Sequence, residues 1–80
     1  MKTNKPFLQK ITYSSENRLS NLLATHKYLG IPIRDAKQLI CSAPYSIELN
    51  PPRVLESRLK MDSLIDRLKS YEIEIQVIYQ

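Results

Sequence analysis

Hydrophobic and polar positions alternate from Phe7 to Tyr13. Phe7, Ile11 and Tyr13 fall on one side at period two, with Lys10 and Thr12 on the other. Successive side chains of an extended chain point to opposite faces, so this pattern predicts a half-buried strand. Ser14 and Ser15 interrupt it, and Ser15 before Glu16 is a candidate N-cap, a side-chain oxygen able to satisfy an orphan helix amide. From Asn17 to Leu29 the period becomes helical: Leu19, Leu22, Leu23 and Leu29 lie on one stripe with the amphipathic His26. Gly30 ends that helix as a C-terminal glycine does. Pro32 suits the first turn of a second helix. Ile33, Ala36, Leu39, Ile40 and Ala43 form its apolar stripe, and Pro44 stops it.

The second half repeats the switch of period. Tyr45 to Leu49 alternates and predicts a short strand. Asn50 followed by Pro51 and Pro52 has the form of a helix start, a capping Asn and a first-position proline. The third helix is then expected to run to about Tyr71, lined by Leu55, Leu59, Leu64, Ile65 and Leu68, with Met61 near the stripe. Glu72 to Gln80 alternates most strongly, with Ile73, Ile75, Val77 and Tyr79 on one face and Glu74, Gln76 and Ile78 on the other. The order β-α-α-β-α-β predicts an α+β fold: a small antiparallel sheet, apolar on one face, with three helices packed there. Residues 1–6 read as an N-terminal tail and 7–80 as a single domain.

Composition narrows the class. Eighty residues support one core, and a chain of this length buries only about 60% of its unfolded surface, so stability should be marginal. With 42% hydrophobic and 25% charged residues, the chain is globular in character and not disordered. Cys41 is the only cysteine, which excludes an internal disulfide and suits a reducing, cytoplasmic compartment. Lys2 and Lys5 are not followed by an apolar stretch, so no signal peptide is expected, and no apolar run approaches the ~20 residues of a membrane span. The net charge of +4 is uneven: residues 1–41 hold seven basic side chains against two acidic, and residues 42–80 hold five against six. The first half therefore carries the field that would attract an acidic protein or nucleic acid.

The residues that could carry chemistry are few. His26 and Cys41 are each the sole representative of their type, and they read as a surface histidine and a small buried thiol. No spacing suits a zinc site, and Gly30 stands alone, without a phosphate-binding glycine loop. Asp62 and Asp66, near Arg58, Arg67 and Lys69, read as a solvated helix face. Tyr13, Tyr28, Tyr45, Tyr71 and Tyr79 do not interleave with basic residues as a nucleic-acid platform would, and read as core or core-edge packing. The expectation is a protein that is not an enzyme and needs no cofactor or metal. Arg18 and Lys27 on the first helix, with Arg34 and Lys37 on the second, flank the Gly30–Pro32 turn; Arg34 and Lys37, three apart, share a helix face.

At this turn the sequence resembles a known family. Leu29-Gly30-Ile31-Pro32-Ile33-Arg34-Asp35-Ala36-Lys37-Gln38-Leu39-Ile40, then Ala43-Pro44, is similar to the C-terminal domain of the bacterial ribosomal stalk protein. That family has Thr-Gly-Leu-Gly-Leu-Lys-Glu-Ala-Lys there, then a Leu-Val pair and an Ala-Pro. The likeness runs back without a gap to Phe7, with Asn17-Arg18 on the family's Asn-Lys. It runs forward from Ser57 to Val77 after roughly five extra residues. The resemblance implies a module that recruits translation factor GTPases to the ribosome through its first two helices. Arg18 keeps the charge of a family binding lysine, Leu19 and Leu22 match apolar contact positions, Gly30 matches the turn glycine and Lys37 a lysine of the second helix. Leu23 stands where the family has lysine, His26 where it has arginine, and Pro32 replaces a second glycine. The family is acidic, whereas this chain is basic. The same architecture occurs in the adaptor of the Clp protease, which binds N-terminal degrons.

The expected function is a non-enzymatic protein-binding module, its partner a translation GTPase, the ribosome or another macromolecule. The expected contacts are Arg18, Leu19, Leu22, His26, Gly30, Arg34 and Lys37. Two alternatives stand beside it. One is a small basic nucleic-acid-associated protein. The other is a homo-oligomeric structural or adaptor protein, associating by its strand edges or by Leu8 and Ile78 on the uncovered sheet face.

Overall fold

The computed structural model describes residues 5–80. Alternation at the start of the chain produces strand β1 (Pro6–Tyr13), which lies at the centre of a three-stranded antiparallel sheet of order β2-β1-β3. Its neighbours are β2 (Ser46–Val54) and β3 (Ile73–Tyr79). Helices α1 (Arg18–Leu29), α2 (Ile33–Ser42) and α3 (Met61–Lys69) complete the order β-α-α-β-α-β. One face of the sheet and the inner faces of the three helices share a single core. The fold class is therefore α+β, as the periodicities predict. Of the expected tail, residues 1–4 lie outside the described residues. Lys5 belongs to the sheet's end: Lys5 and Gln80 exchange backbone hydrogen bonds of 2.9 and 3.1 Å.

A bulge decides which face of β1 is buried. Leu8 stands opposite Val77, but Lys10 stands opposite Gln76, so Gln9 is an extra residue in β1. One extra residue reverses the in–out parity of everything beyond it. Leu8 thus joins Ile11 and Tyr13 in the core, at 1%, 0% and 2% exposed, while Phe7 is only half-buried. Strict alternation had placed Phe7 with Ile11 and Tyr13, and Leu8 on the uncovered face; the bulge corrects both. Ile78 remains away from the core, half-buried and paired with Phe7 across the ladder.

The Asn50-Pro51-Pro52 segment is strand and not a helix start. Between the pairs Lys10–Glu48 and Leu8–Arg53, the residues Leu49, Asn50, Pro51 and Pro52 lie opposite Gln9 alone, with a cis peptide between Asn50 and Pro51. Prolines donate no ladder hydrogen bond and are tolerated where the partner strand asks for none, on an edge strand or at a bulge. Helix α3 consequently begins only at Met61. Leu55 and Leu59 precede it, yet Leu55 is still buried, its amide donating to the Pro6 carbonyl at 3.0 Å.

The helices end where local chemistry directs. Asn17, and not Ser15, caps α1: its Oδ1 accepts from the Ser20 amide at 3.1 Å, while the Ser15 hydroxyl accepts from the Asn17 amide one turn earlier. Gly30 closes α1 in the left-handed conformation, at φ 70°. A Cβ at Gly30 would collide with the carbonyl oxygen of Glu56, so the glycine also lets the loop before α3 press against the end of α1. Cys41, expected to be buried, is exposed on α2. No helix of the described residues is long and apolar enough to cross a membrane.

Gly30→Ala should therefore destabilise the domain by more than about 2 kcal/mol, the left-handed penalty for a β-carbon plus the clash with Glu56. Urea unfolding of the variant and wild type, compared at matched slope, measures it.

Candidate functional site

The outer surface of α1 is set by what its inner surface binds. The residues of α1 facing the core are Asn21, Ala24, Thr25 and Leu29, two of them polar. The Tyr13 hydroxyl lies 2.6 Å from Thr25 Oγ1, and Thr25 Oγ1 lies 2.7 Å from the Asn21 carbonyl oxygen. Thr25 has one proton and gives it to Asn21, so Tyr13 is the donor to Thr25. Asn21 Nδ2 in turn donates to the Ser15 carbonyl at 3.0 Å. Buried polar groups are stable only when hydrogen-bonded, so this chain holds α1 in one rotation about its axis. Burial pushes the Tyr13 phenol above its ordinary range.

With that rotation, leucines of the helical stripe face outward. Leu19 is 66% exposed and Leu23 is 52% exposed, although the periodicity had placed them with Leu22 and Leu29 on one stripe. Leu29 is buried and Leu22 half-buried against the core, so the stripe is split between inside and outside. Exposed leucines scattered singly need no explanation, but these two are one helical turn apart and border a groove of about 630 Å³. Its apolar lining comes from Leu19, Leu23, Ala24, Tyr28 and Tyr71, and its polar rim includes His26 and Lys27. Tyr71, in the turn after α3, meets Tyr28 with ring centroids 5.8 Å apart and planes tilted by 43°, within the range of favourable aromatic pairs. Lys27 lays its ammonium 5.4 Å from the Tyr28 ring centre, a cation–π contact.

The structure distributes the sequence-predicted contacts over several places. Leu19 and His26 line the groove. The His26 Nδ1–H donates to the Ile31 carbonyl at 2.7 Å, tying the helix to the Gly30–Pro32 turn, so His26 has a structural task as well. Arg18 is exposed on the first turn and lines a different hollow with Ser15, Glu16, Pro44 and Tyr45. Gly30 borders a second hollow of about 490 Å³, with Lys27, Tyr28, Glu56, Arg58 and Arg67 among its walls. Leu22 supports α1 from the core side. Arg34 and Lys37 are exposed on α2 and line neither the groove nor that hollow. Asp35 beside them pairs with Arg53 at 3.4 Å; both side chains are largely solvated, so the pair adds little stability.

Sequence reasoning missed four residues. Leu23 was placed on the apolar stripe of the first helix and noted as a departure from the family lysine, but not as a surface contact, although it is one turn from Leu19. Lys27 was noted for charge and not for the groove. Tyr28 and Tyr71 meet through tertiary contact, and no local pattern joins them.

Among the described residues no group of three or more His, Cys, Asp or Glu side chains could hold a metal ion. The groove's walls include no carboxylate, and their one histidine has a ring nitrogen committed to Ile31. The class defined by fold and surface is thus a small α+β domain with an exposed leucine–tyrosine groove. No family model, curated protein or solved structure matches the chain.

Two stability measurements check this arrangement. Leu19→Ser/Leu23→Ser should change unfolding free energy by no more than about 0.5 kcal/mol per site, whereas Ala24→Leu, on the buried face, should cost about 1–3 kcal/mol by overpacking. Thermal or urea unfolding distinguishes them, and a large loss in the serine variant would mean the leucines are core.

Tyr13→Phe should cost about 1 kcal/mol near neutral pH, the net worth of one buried hydrogen bond. It should also alter the alkaline limb. The folded-state pKa of Tyr13 lies above the unfolded value of about 10, so its contribution is complete below about pH 10 and is lost as pH rises through the folded value. Wild-type stability should therefore fall above about pH 10, and the fall should be shallower in Tyr13→Phe.

Proposed function

We propose that this chain is a non-enzymatic protein-binding module that docks a partner on its first helical hairpin, chiefly through the outer face of α1. The single observation carrying the reading is the exposure of Leu19 and Leu23 beside the Tyr28–Tyr71 pair. A domain of this size has few leucines to spare from its core, and contiguous exposed apolar side chains rimmed by polar groups mark interaction surfaces. Aromatic and leucine side chains around a concavity are the anchors on which helix-in-groove recognition relies. The likeness to the ribosomal stalk C-terminal domain gives the reading a direction. In that family the first two helices recruit translation GTPases, and Leu19 and Leu22 stand at its apolar contact positions. A translation factor, or the ribosome that it visits, is accordingly the partner we favour. The basic residues Arg18, Arg34 and Lys37, exposed on the same hairpin, would steer an acidic surface toward it.

Affinity capture from lysate with the purified chain tests this, using two variants in parallel. Wild type should retain one or a few translation GTPases. Leu19→Ser/Leu23→Ser should reduce retention at least tenfold, of the order expected for losing two apolar anchors. Arg18→Glu/Lys37→Glu should slow association and weaken or invert its salt dependence. Capture that persists unchanged in the leucine variant would refute the α1 surface as the docking site.

A further inference from the structure

We infer that the partner segment is an acidic amphipathic helix: its apolar face lies on the Leu19–Leu23–Tyr71 groove and its carboxylates reach the neighbouring hollow of Lys27, Arg58 and Arg67. This rests on the protein-binding reading above and adds the partner's chemistry. The groove and the hollow share two walls, Lys27 and Tyr28, so they form one continuous surface with an apolar end and a charged end. The charged end is one-sided. Three cations meet a single acidic residue, Glu56, whose backbone carbonyl is already turned against Gly30. Among the described residues the one ion pair is Arg53–Asp35, so Lys27, Arg58 and Arg67 outnumber Glu56 in the hollow and none of them is in ion-pair contact with it. The groove adds no carboxylate to oppose an acidic ligand.

Geometry fixes the length. Leu19, Leu23 and Lys27 recur at one-turn intervals along α1, a span of about 12 Å at 1.5 Å per residue. A partner helix of about three turns covers it, with apolar residues at i, i+3 or i+4 and i+7, and acidic residues on the end turn that meets the cations. Arg58 comes from the loop before α3 and Arg67 from α3 itself, so the charged end is built by tertiary structure and lies outside the hairpin that the resemblance emphasises. Guanidinium groups suit this task because their planar donors grip carboxylates two at a time.

The test is selection from a random peptide library of about 12-residue members on the full 80-residue chain, wild type against Arg58→Glu/Arg67→Glu, with Arg58→Gln/Arg67→Gln as the milder pair and circular dichroism to verify folding. Wild type should enrich peptides with helically spaced leucine or aromatic residues and Asp or Glu at one end. The reversed variant should exchange that acidic preference for a basic one, and an acidic peptide chosen on wild type should bind it about tenfold more weakly. An apolar consensus without acidic enrichment, abolished by Leu19→Ser/Leu23→Ser, would overturn this inference and leave the groove standing. Enrichment of no peptide at all, or equal enrichment by the leucine variant, would overturn both. Salt-sensitive binding of an oligonucleotide, lost on charge reversal and without an acidic consensus, would assign the hollow to phosphate and likewise overturn it.

Discussion

The hydrogen-bonded relay from Tyr13 through Thr25 to Asn21 governs how the first helix presents itself. A helix with leucines around much of its circumference could pack on the sheet in more than one rotation. Burying Leu19 and Leu23 would bring Asn21 and Thr25 toward solvent and leave the buried Tyr13 hydroxyl without an acceptor. An unpaired buried hydroxyl is penalised by about 1–3 kcal/mol, comparable with the gain from burying a leucine. Ala24 adds a steric argument, since its small side chain allows the helix to approach the sheet closely. The Tyr13–Thr25 hydrogen bond and the shape at Ala24 agree, although the buried Asn21 Oδ1 has no partner, and the leucines go outside.

The same logic reaches back to β1. Tyr13 can meet Thr25 only because it points to the helical face, and the bulge at Gln9 lets Leu8 share that face with Ile11 and Tyr13. Opposite the bulge, β2 carries its two prolines through an edge position where ladder donors are not required. Two irregularities on neighbouring strands thus accommodate one another. From there the chain leaves the sheet through Leu55, passes Gly30 at the Glu56 carbonyl, and enters α3, whose following turn delivers Tyr71 to Tyr28. The groove is assembled from α1 and the far end of the chain, with the Gly30–Glu56 approach holding the two sides in place.

For an 80-residue domain, leaving two leucines exposed gives up stabilising burial in a core that has little excess. On the protein-binding reading proposed above that concession is intelligible, because a partner would cover the surface. The accompanying charges favour a partner of opposite sign, and the uneven distribution toward the first half of the chain extends that preference over the hairpin.

Periodicity alone determined the fold class, the order of the six elements, the closing glycine of α1 and most of α2 and β3, because each follows from local alternation, helical spacing or a single residue's conformational freedom. Leu19, Arg18 and Lys37 were singled out by the family resemblance and not by periodicity. The tertiary structure alone decided three things. It chose which side of α1 faces the sheet, because the buried hydrogen bonds of Tyr13, Thr25 and Asn21 and the small side chain of Ala24 together act against the leucine stripe. It turned Asn50-Pro51-Pro52 into strand, because a bulge on β1 removed the need for the donors that proline lacks. And it joined Tyr71, Arg58 and Arg67 to the first helix, because surfaces form between elements whose separation along the chain hides their proximity in space.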